Sequence, residues 1–183
     1  SVYLEFDTDF SEKFNASIAA RYEDYSDFGS TTSGKLSARY AFTDRYALRG
    51  TVASGFRAPS LAQQNYSTTS SVLTSGTIVE TRTFPVNTAV ARAFGAEPLK
   101  AEESLSYSLG FVAQPTDSFT LSIDAYQIQI DDRIVLSENL TGIAVENYLT
   151  QLGFPGVRGG RYFTNAVDTR TRGVDLVANW HTQ

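Results

Sequence analysis

Phe14-Asn15-Ala16-Ser17-Ile18-Ala19-Ala20-Arg21-Tyr22-Glu23 is the stretch from which the fold can be read. Taken alternately, it separates into an apolar series, Phe14, Ala16, Ile18, Ala20 and Tyr22, and a mostly polar one, Asn15, Ser17, Ala19, Arg21 and Glu23. Successive side chains of a strand point to opposite faces, so a period of two marks a strand with one apolar face. The pattern recurs. Leu36, Ala38, Tyr40 and Phe42 oppose Lys35, Ser37 and Arg39. Tyr46, Leu48, Gly50, Val52, Ser54 and Phe56 oppose Arg49, Thr51, Gly55 and Arg57. Leu105, Tyr107, Leu109, Phe111 and Ala113 oppose Ser104, Ser106, Ser108 and Gly110. Val174, Leu176, Ala178 and Trp180 oppose Asp175 and Asn179, and Val2, Leu4 and Phe6 oppose Tyr3, Glu5 and Asp7. A seventh strand opens with Phe119, Leu121, Ile123 and Ala125, where the apolar series then slips to Tyr126, Ile128 and Ile130. The slip predicts a bulge, or a strand leaving the zone where the face matters.

The connections alternate in length. Asp9–Lys13, Phe42–Arg45 and Pro115–Ser118 read as short turns, and Tyr25–Thr32 as a medium loop. Arg57–Glu102 and Ser137–Arg161 are long, the second holding a short helix over Thr141–Gly153. Following the chain direction, every short turn falls at one end of the sheet and every longer loop at the other, as in outer-membrane barrels. Phe6, Phe14, Phe42, Tyr46 and Trp180 are assigned to the short-turn end of the apolar face, and Tyr22 and Phe56 to the long-loop end. Two such belts match the aromatic girdles of a membrane barrel. From Phe14 to Tyr22 is about 26 Å along a strand, or ~20 Å vertically at the usual tilt, near the expected apolar band. Glu5, Arg21, Glu23, Lys35, Arg39, Arg49, Arg57 and Asp175 form the polar series. A lipid-facing Arg or Lys costs about 2–4 kcal/mol at mid-membrane, so this series must face the lumen. A soluble β-sandwich explains the alternation equally well, but not the belts or the loop asymmetry.

Composition narrows the field. The 183 residues carry 15 Lys+Arg and 20 Asp+Glu, a net charge of −5, which argues against binding nucleic acid. With no Cys and one His, His181, there is no disulfide framework, thiolate metal site or multi-histidine zinc site. No apolar run is long enough for a membrane helix. The absence of Met, even at position 1, predicts a piece of a larger chain. No catalytic constellation stands out, so the chain is expected not to be an enzyme and to need no cofactor or metal. Asp131 and Asp132 are adjacent in a strand, point to opposite faces and cannot easily share a proton; they read as a strand-end polar pair. Gly159-Gly160, between Arg158 and Arg161, could hold an anion but reads better as a loop turn with solvated charges.

Four stretches in order carry a family resemblance. Gly55-Phe56-Arg57-Ala58-Pro59-Ser60-Leu61 follows an amphipathic strand. Glu97-Pro98-Leu99-Lys100-Ala101-Glu102-Glu103-Ser104 leads into Tyr107-Ser108-Leu109-Gly110, with Ala101 where Pro is usual. Ile123-Asp124-Ala125-Tyr126 runs to Ile130-Asp131-Asp132-Arg133-Ile134. Asn165 then precedes Arg172-Gly173-Val174-Asp175-Leu176, with Asp175 where Glu is common. Together, from about Leu48 to Trp180, they resemble the later barrel half of TonB-dependent outer-membrane receptors.

The resemblance implies an all-β, antiparallel up-and-down transmembrane barrel of about 22 strands closed around an N-terminal plug. The seven strands found here then form an open, curved sheet lacking plug and terminal strands. It also implies TonB-energised uptake of a scarce ligand, expected to be a ferric siderophore, in the outer membrane of a Gram-negative bacterium. The implied partners are membrane lipid, the chain's own plug, the TonB protein and a small metal chelate. A passive porin or adhesion barrel is the alternative, ahead of a soluble β-sandwich binding module. Gly55, Phe56, Arg57, Ala58, Pro59, Leu99, Lys100, Glu102, Arg172, Gly173, Val174 and Asp175 are the motif positions, with Gly55 and Pro59 expected to be structural. Ligand contact is expected from the long loops and upper lumen wall, at Arg57, Tyr66, Arg82, Arg92, Arg158, Arg161 and Tyr162, because guanidinium and aromatic groups suit an anionic chelate.

Overall fold

The computed structural model describes residues 1–26, 29–74 and 77–181. In chain order its elements are β1 (Val2–Ser11), β2 (Phe14–Tyr25), β3 (Gly29–Thr43), β4 (Tyr46–Arg57), α1 (Leu61–Asn65), β5 (Thr68–Thr74), β6 (Thr77–Thr83), α2 (Ala89–Ala93), β7 (Glu102–Thr116), β8 (Phe119–Leu136), β9 (Leu140–Thr141), α3 (Ile143–Gln151), β10 (Gly159–Arg161) and β11 (Phe163–Trp180). The chain divides into two compact units. One comprises Ser1–Arg57, Glu103–Asp131 and Asp168–Gln183, the other Ala58–Glu102 and Asp132–Val167.

The first unit is built on a seven-stranded antiparallel sheet, β1-β2-β3-β4-β7-β8-β11, that is not closed. Its seven strands are those the alternation predicts. Registers carry each face across the strands. Phe6 opposes Ile18, Ile18 opposes Leu36, and Leu36 opposes Val52. The next row is Glu5, Ala19, Lys35 and Ala53. The apolar row is uncovered, from Phe6 at 61% exposure to Val52 at 42%. A soluble sandwich buries that face. Phe6 differs from expectation: opposite Ile18, it lies mid-band and not at the short-turn end. Gly29–Thr32 belongs to β3, so the loop assigned to Tyr25–Thr32 contracts, and its Asp27 and Phe28 lie outside the described residues.

The three short turns share one construction. Ser11-Glu12-Lys13-Phe14, Thr43-Asp44-Arg45-Tyr46 and Thr116-Asp117-Ser118-Phe119 each read hydroxyl, acid, any residue, aromatic. The first and last residues pair across each turn, just after a register shift. The Ser11 hydroxyl accepts from the Lys13 and Phe14 backbone N–H groups, and the Thr43 hydroxyl from that of Arg45. The third turn residue then joins its neighbour: the Lys13, Arg45 and Ser118 carbonyls accept from the N–H groups of Ala41, Gln114 and His181.

The slip in β8 is not a bulge at Ala125. Leu121 through Asp131 pair with Ala113 back to Glu103 without interruption. Tyr126, Ile128 and Ile130 therefore lie on the polar face, opposite Ser108, Ser106 and Ser104, while Gln127 and Gln129 take the apolar face. Arg170 and Arg172, in step with Val174, Leu176 and Trp180, donate to Gln129 and Gln127. These two cations thus depart from the rule that charge gathers on the polar face. The Tyr126 ring passes over Gly173, where a Cβ would come within 2.5 Å of it. The irregularity in β8 comes later, at Asp132, which has φ 55. Asp tolerates that left-handed conformation better than most residues.

The second unit fills the stretches read as long connections. Its sheet runs β5-β6-β10-β9, with β10 parallel to β6 and antiparallel to β9. Phe84, Val90, Ala91, Ala96, Leu149 and Val157 form its core. α3 starts two residues later than expected, after Gly142, and its last helical residue is Gln151, with Leu152 as the cap and Gly153, read as its stop, just beyond. The Gly153 and Phe154 N–H groups bond back to Thr150 and Leu149, and those of Gly95 and Ala96 close α2 in the same way on Arg92 and Ala91. Gly159-Gly160 is a buried strand and not the loop turn expected. A Cβ on Gly160 would meet the Phe94 ring at 2.6 Å.

Glycine at position 110 is required for space. A Cβ there would lie 2.0 Å from Asp124 Oδ1 and 2.8 Å from Arg49 Nε. Gly110→Ala is expected to lower stability by about 1–3 kcal/mol through overpacking. Ser108→Ala, on the same face, should change little. Denaturant titration of both variants decides, and equal stability would refute this packing.

Candidate functional site

The motif residues that suggest a family form staples. Pro59 has no N–H to continue the β4 ladder. Ser60 then starts α1 with a reciprocal cap: its hydroxyl accepts from the Gln63 N–H at 3.1 Å, and Gln63 Oε1 accepts from its N–H at 3.1 Å. Asn165 Nδ2 donates to the Lys100 carbonyl (3.0 Å) and to the Asp132 carbonyl (2.6 Å), while its Oδ1 accepts from the Lys100 N–H (2.9 Å). The kink at Asp132 presents one of those carbonyls. Glu102, buried, accepts from the Ile134 N–H at 2.8 Å. These side chains are occupied in holding strand ends, which leaves little of their hydrogen-bonding capacity for a ligand.

The seven ligand candidates are divided between the two units. Arg57 ends β4, exposed, in the first unit. The other six lie in the second unit. Tyr66 follows α1 and meets Phe163 edge-on at 6.2 Å. Arg82 lies over Phe154 at 4.7 Å and Phe84 at 5.7 Å, with its Nε buried and without a partner. Arg161 donates to the Thr83 and Ser70 hydroxyls at 3.0 and 3.4 Å. Arg82 pairs with Gly160 and Arg161 with Thr83 across β6 and β10, so the two guanidinium groups leave opposite faces of that ladder. Arg158 approaches Glu146 at 3.6 Å. Arg92 is exposed in the last turn of α2. The Tyr162 hydroxyl donates to the Phe94 carbonyl at 2.9 Å and its ring packs on the core, a structural placement. Within the second unit, Arg92 and Arg158 are the candidate cations whose exposure suits contact with a solute.

The polar face of the seven-stranded sheet holds a second arrangement. Arg49 makes a two-toothed bond to Asp124, Nη2 donating to Oδ2 at 2.7 Å and Nε to Oδ1 at 3.0 Å, and Ser122 donates to the same carboxylate at 2.7 Å. Arg39 sits opposite Arg49. Asn15 Nδ2 bridges Asp7 and Asp9 at 2.8 and 2.9 Å. The alternation places Asp7, Arg39 and Arg49 on one face but does not reveal the Arg49–Asp124 pair, whose partners are 75 residues apart. Among the described residues, no group of three or more His, Cys, Asp or Glu is placed to hold a metal ion. No helix is long and apolar enough to cross a membrane, which says nothing about crossing by strands.

Asn165→Ala removes three hydrogen bonds at once. It is expected to cost about 1–3 kcal/mol and to speed amide exchange near Lys100. Glu102→Gln keeps the acceptor for Ile134 and should leave exchange there near wild type. Hydrogen exchange read by mass spectrometry tests both, and unchanged exchange in Asn165→Ala would remove the clamp from the account.

Residues 1–182 match the family model described as TonB dependent receptor-like, beta-barrel. Among solved structures, the chain is similar to the siderophore receptor PirA from Pseudomonas aeruginosa, with TM-score 0.71, 21% identity, and coverage of 95% of this chain and 29% of that one. PirA from Acinetobacter baumannii gives TM-score 0.68, 18% identity, and coverage of 97% and 25%. A mutant ferric enterobactin receptor, PfeA, from Pseudomonas aeruginosa in complex with enterobactin gives 0.70, 17%, 95% and 23%. At these identities the likeness is one of fold. The chain spans between 23% and 29% of the length of these three structures. No curated protein matches it.

Proposed function

The chain belongs to the TonB dependent receptor-like β-barrel family, and on that premise we propose that it is part of the wall of an outer-membrane receptor that takes up a ferric siderophore. The observation that carries this reading is the uncovered apolar face, with Leu4, Ile18, Leu36, Leu48, Val52, Leu109 and Leu176 all exposed. A face of that composition needs lipid against it. Its aromatic ends support the same placement: Tyr46 stacks on Phe111 at 6.3 Å, and Tyr40 meets Phe42 edge-on at 5.2 Å. The rest of the barrel, a plug inside it and the TonB protein as the source of energy complete the reading. The polar face, with Lys35, Arg39, Arg49 and Asp124, then lines the lumen. In this reading the chain performs no covalent chemistry; its part is to bind and pass a solute.

The ligand is an anionic iron chelate, met by the exposed cations of the long connections. Exposed Arg–anion contacts are individually modest. Arg92→Ala and Arg158→Ala in the full-length receptor are therefore expected to weaken binding of ferric enterobactin about 3–10-fold each. Tyr162→Phe should lower stability and spare affinity. Uptake of radiolabelled iron by cells carrying each variant, with ferric enterobactin and a neutral chelate as alternatives, tests the ligand. Uptake of neither would overturn the siderophore reading.

Membrane placement has its own test. Leu109→Arg puts a guanidinium on the lipid face and should abolish the heat-modifiable gel shift of the assembled receptor. Ser108→Arg, one residue away on the lumen face, should keep it. Equal behaviour of the two variants would mean that the lipid face is misassigned.

A further inference from the structure

The apolar face changes character along its height, and the change is ordered by sign. Rungs of β7 and β8 can be counted from the short turn after Thr116. Phe111 opposes Ile123 and Leu109 opposes Ala125, all apolar. Tyr107 opposes Gln127 next, then Leu105 opposes Gln129, then Glu103 opposes Asp131. On β11 the Arg172 guanidinium donates to Gln127 Oε1 at 2.6 Å, and Arg170 to Gln129 Oε1 at 3.2 Å. Moving away from the short turns, the face is apolar, then cationic, then anionic. Asp168, two residues beyond Arg170 on the same face, continues the anionic end.

The height of the cationic rungs is set by the ladder. Gln127 is eight residues beyond Phe119, about 26 Å along the strand and ~20 Å along the membrane normal at the usual tilt. Gln129 lies two residues higher. The hydrocarbon band of such barrels is about 25 Å tall, so Arg172 and Arg170 sit at its far boundary, level with Tyr107. At that depth the cost of an outward Arg nearly vanishes. Both side chains are exposed. Each has a glutamine amide oxygen as hydrogen-bond partner, which orients the guanidinium without neutralising it. Gln129 in turn donates to Asp131 at 3.0 Å, tying the cationic rung to the anionic one above it.

We propose that Arg170 and Arg172 hold the phosphate of a lipid headgroup in the leaflet beside the long connections. Two guanidinium groups on alternate residues of one strand present parallel forks to phosphate oxygens. The acyl chains of that lipid then lie along Leu109, Val174 and Leu176. Glu103, Asp131 and Asp168 stand farther out, beyond the phosphate level and in hydrated surroundings. The proposal rests on the membrane placement above and is independent of which chelate is carried.

The test uses the full-length receptor in dodecyl maltoside micelles, mixed with diphosphorylated lipid A or its dephosphorylated form. Lipid retained through gel filtration is measured. Wild type should retain the phosphorylated form about tenfold over the other. The R170Q/R172Q pair should lose that preference, and R170K/R172K should keep most of it. Excess inorganic phosphate should not displace the lipid. A glutamine pair that retains phosphorylated lipid A like wild type overturns the proposal, as does equal retention of the two lipids by wild type or displacement by free phosphate. Should the glutamine pair fail to assemble, wild type decides alone. Release of the lipid on raising salt from about 0.1 M to about 1 M marks an ionic contact, and retention unchanged by salt overturns it. Failure here with Leu109→Arg still blocking assembly would spare the membrane reading, whereas tolerance of Leu109→Arg would remove the basis of both.

Discussion

Inside hydrocarbon an N–H or C=O group without a partner has no water to turn to, so a spanning strand must find all its partners in its neighbours. Once strands pair side by side, every residue is committed to one of two faces, and a shift of one residue exchanges them. The three short turns show how the chain prevents that shift. Each closes on a pair of one hydroxyl residue and one aromatic, Ser11 with Phe14, Thr43 with Tyr46 and Thr116 with Phe119. The hydroxyl residue shapes the turn, while the aromatic begins the next strand. The carbonyl of the residue between them anchors the strand of the following hairpin. Register is thereby passed from one hairpin to the next at a single end of the sheet.

The faces then impose different packing. In the proposed membrane placement nothing within the chain needs to fill the apolar side, because lipid conforms to the surface. On the polar side charged groups must meet each other. Arg49 reaches across β7 to Asp124 on β8, and the strand between them can supply only Gly110 at the crossing. Tyr126 crosses toward β11 and meets Gly173. Both glycines are selected by what passes over them. The Arg-Gly-Val stretch therefore has a mechanical cause: Gly173 leaves room for the Tyr126 ring, while Arg172 beside it points the other way.

Legibility followed these constraints. All seven long strands could be read from alternation, because both faces are imposed along most of their length. The slip at Tyr126, Ile128 and Ile130 was visible, but its cause was not. Those residues stay in register and lie on the polar face, while Gln127 and Gln129 take the apolar face. Most of the second unit, α3 apart, was illegible for the opposite reason. Its strands are short, its buried positions include Thr81 and Thr83, and two of its strand residues are Gly159 and Gly160. None of these carries an apolar period. Its helices did announce themselves weakly: Ser60 with Gln63, and Thr88 followed by Gly95, are start and stop signals that lay inside a stretch read as loop. The ligand candidates rest on residue type, which does not distinguish Tyr162, whose hydroxyl donates to the Phe94 carbonyl, from Arg92, whose side chain is exposed.

The separation of staples from exposed cations has a physical logic of its own. Where a strand leaves its ladder, as β8 does at Asp132, carbonyls and N–H groups lose their neighbours and must be satisfied locally. Asn165 meets that need with one amide that both donates and accepts, and Glu102 with one carboxylate oxygen. Removing the acceptor oxygen at either position strands a backbone N–H, at Lys100 or at Ile134, so these positions are tied to the fold whatever solute is carried. Arg92 and Arg158 satisfy no buried group. Their substitution changes the charge offered to a solute and little else. In the proposed reading, exchange of exposed cations in the second unit leaves the hydrogen bonds of Asn165 and Glu102 in place, so recognition and the holding of strand ends draw on different residues.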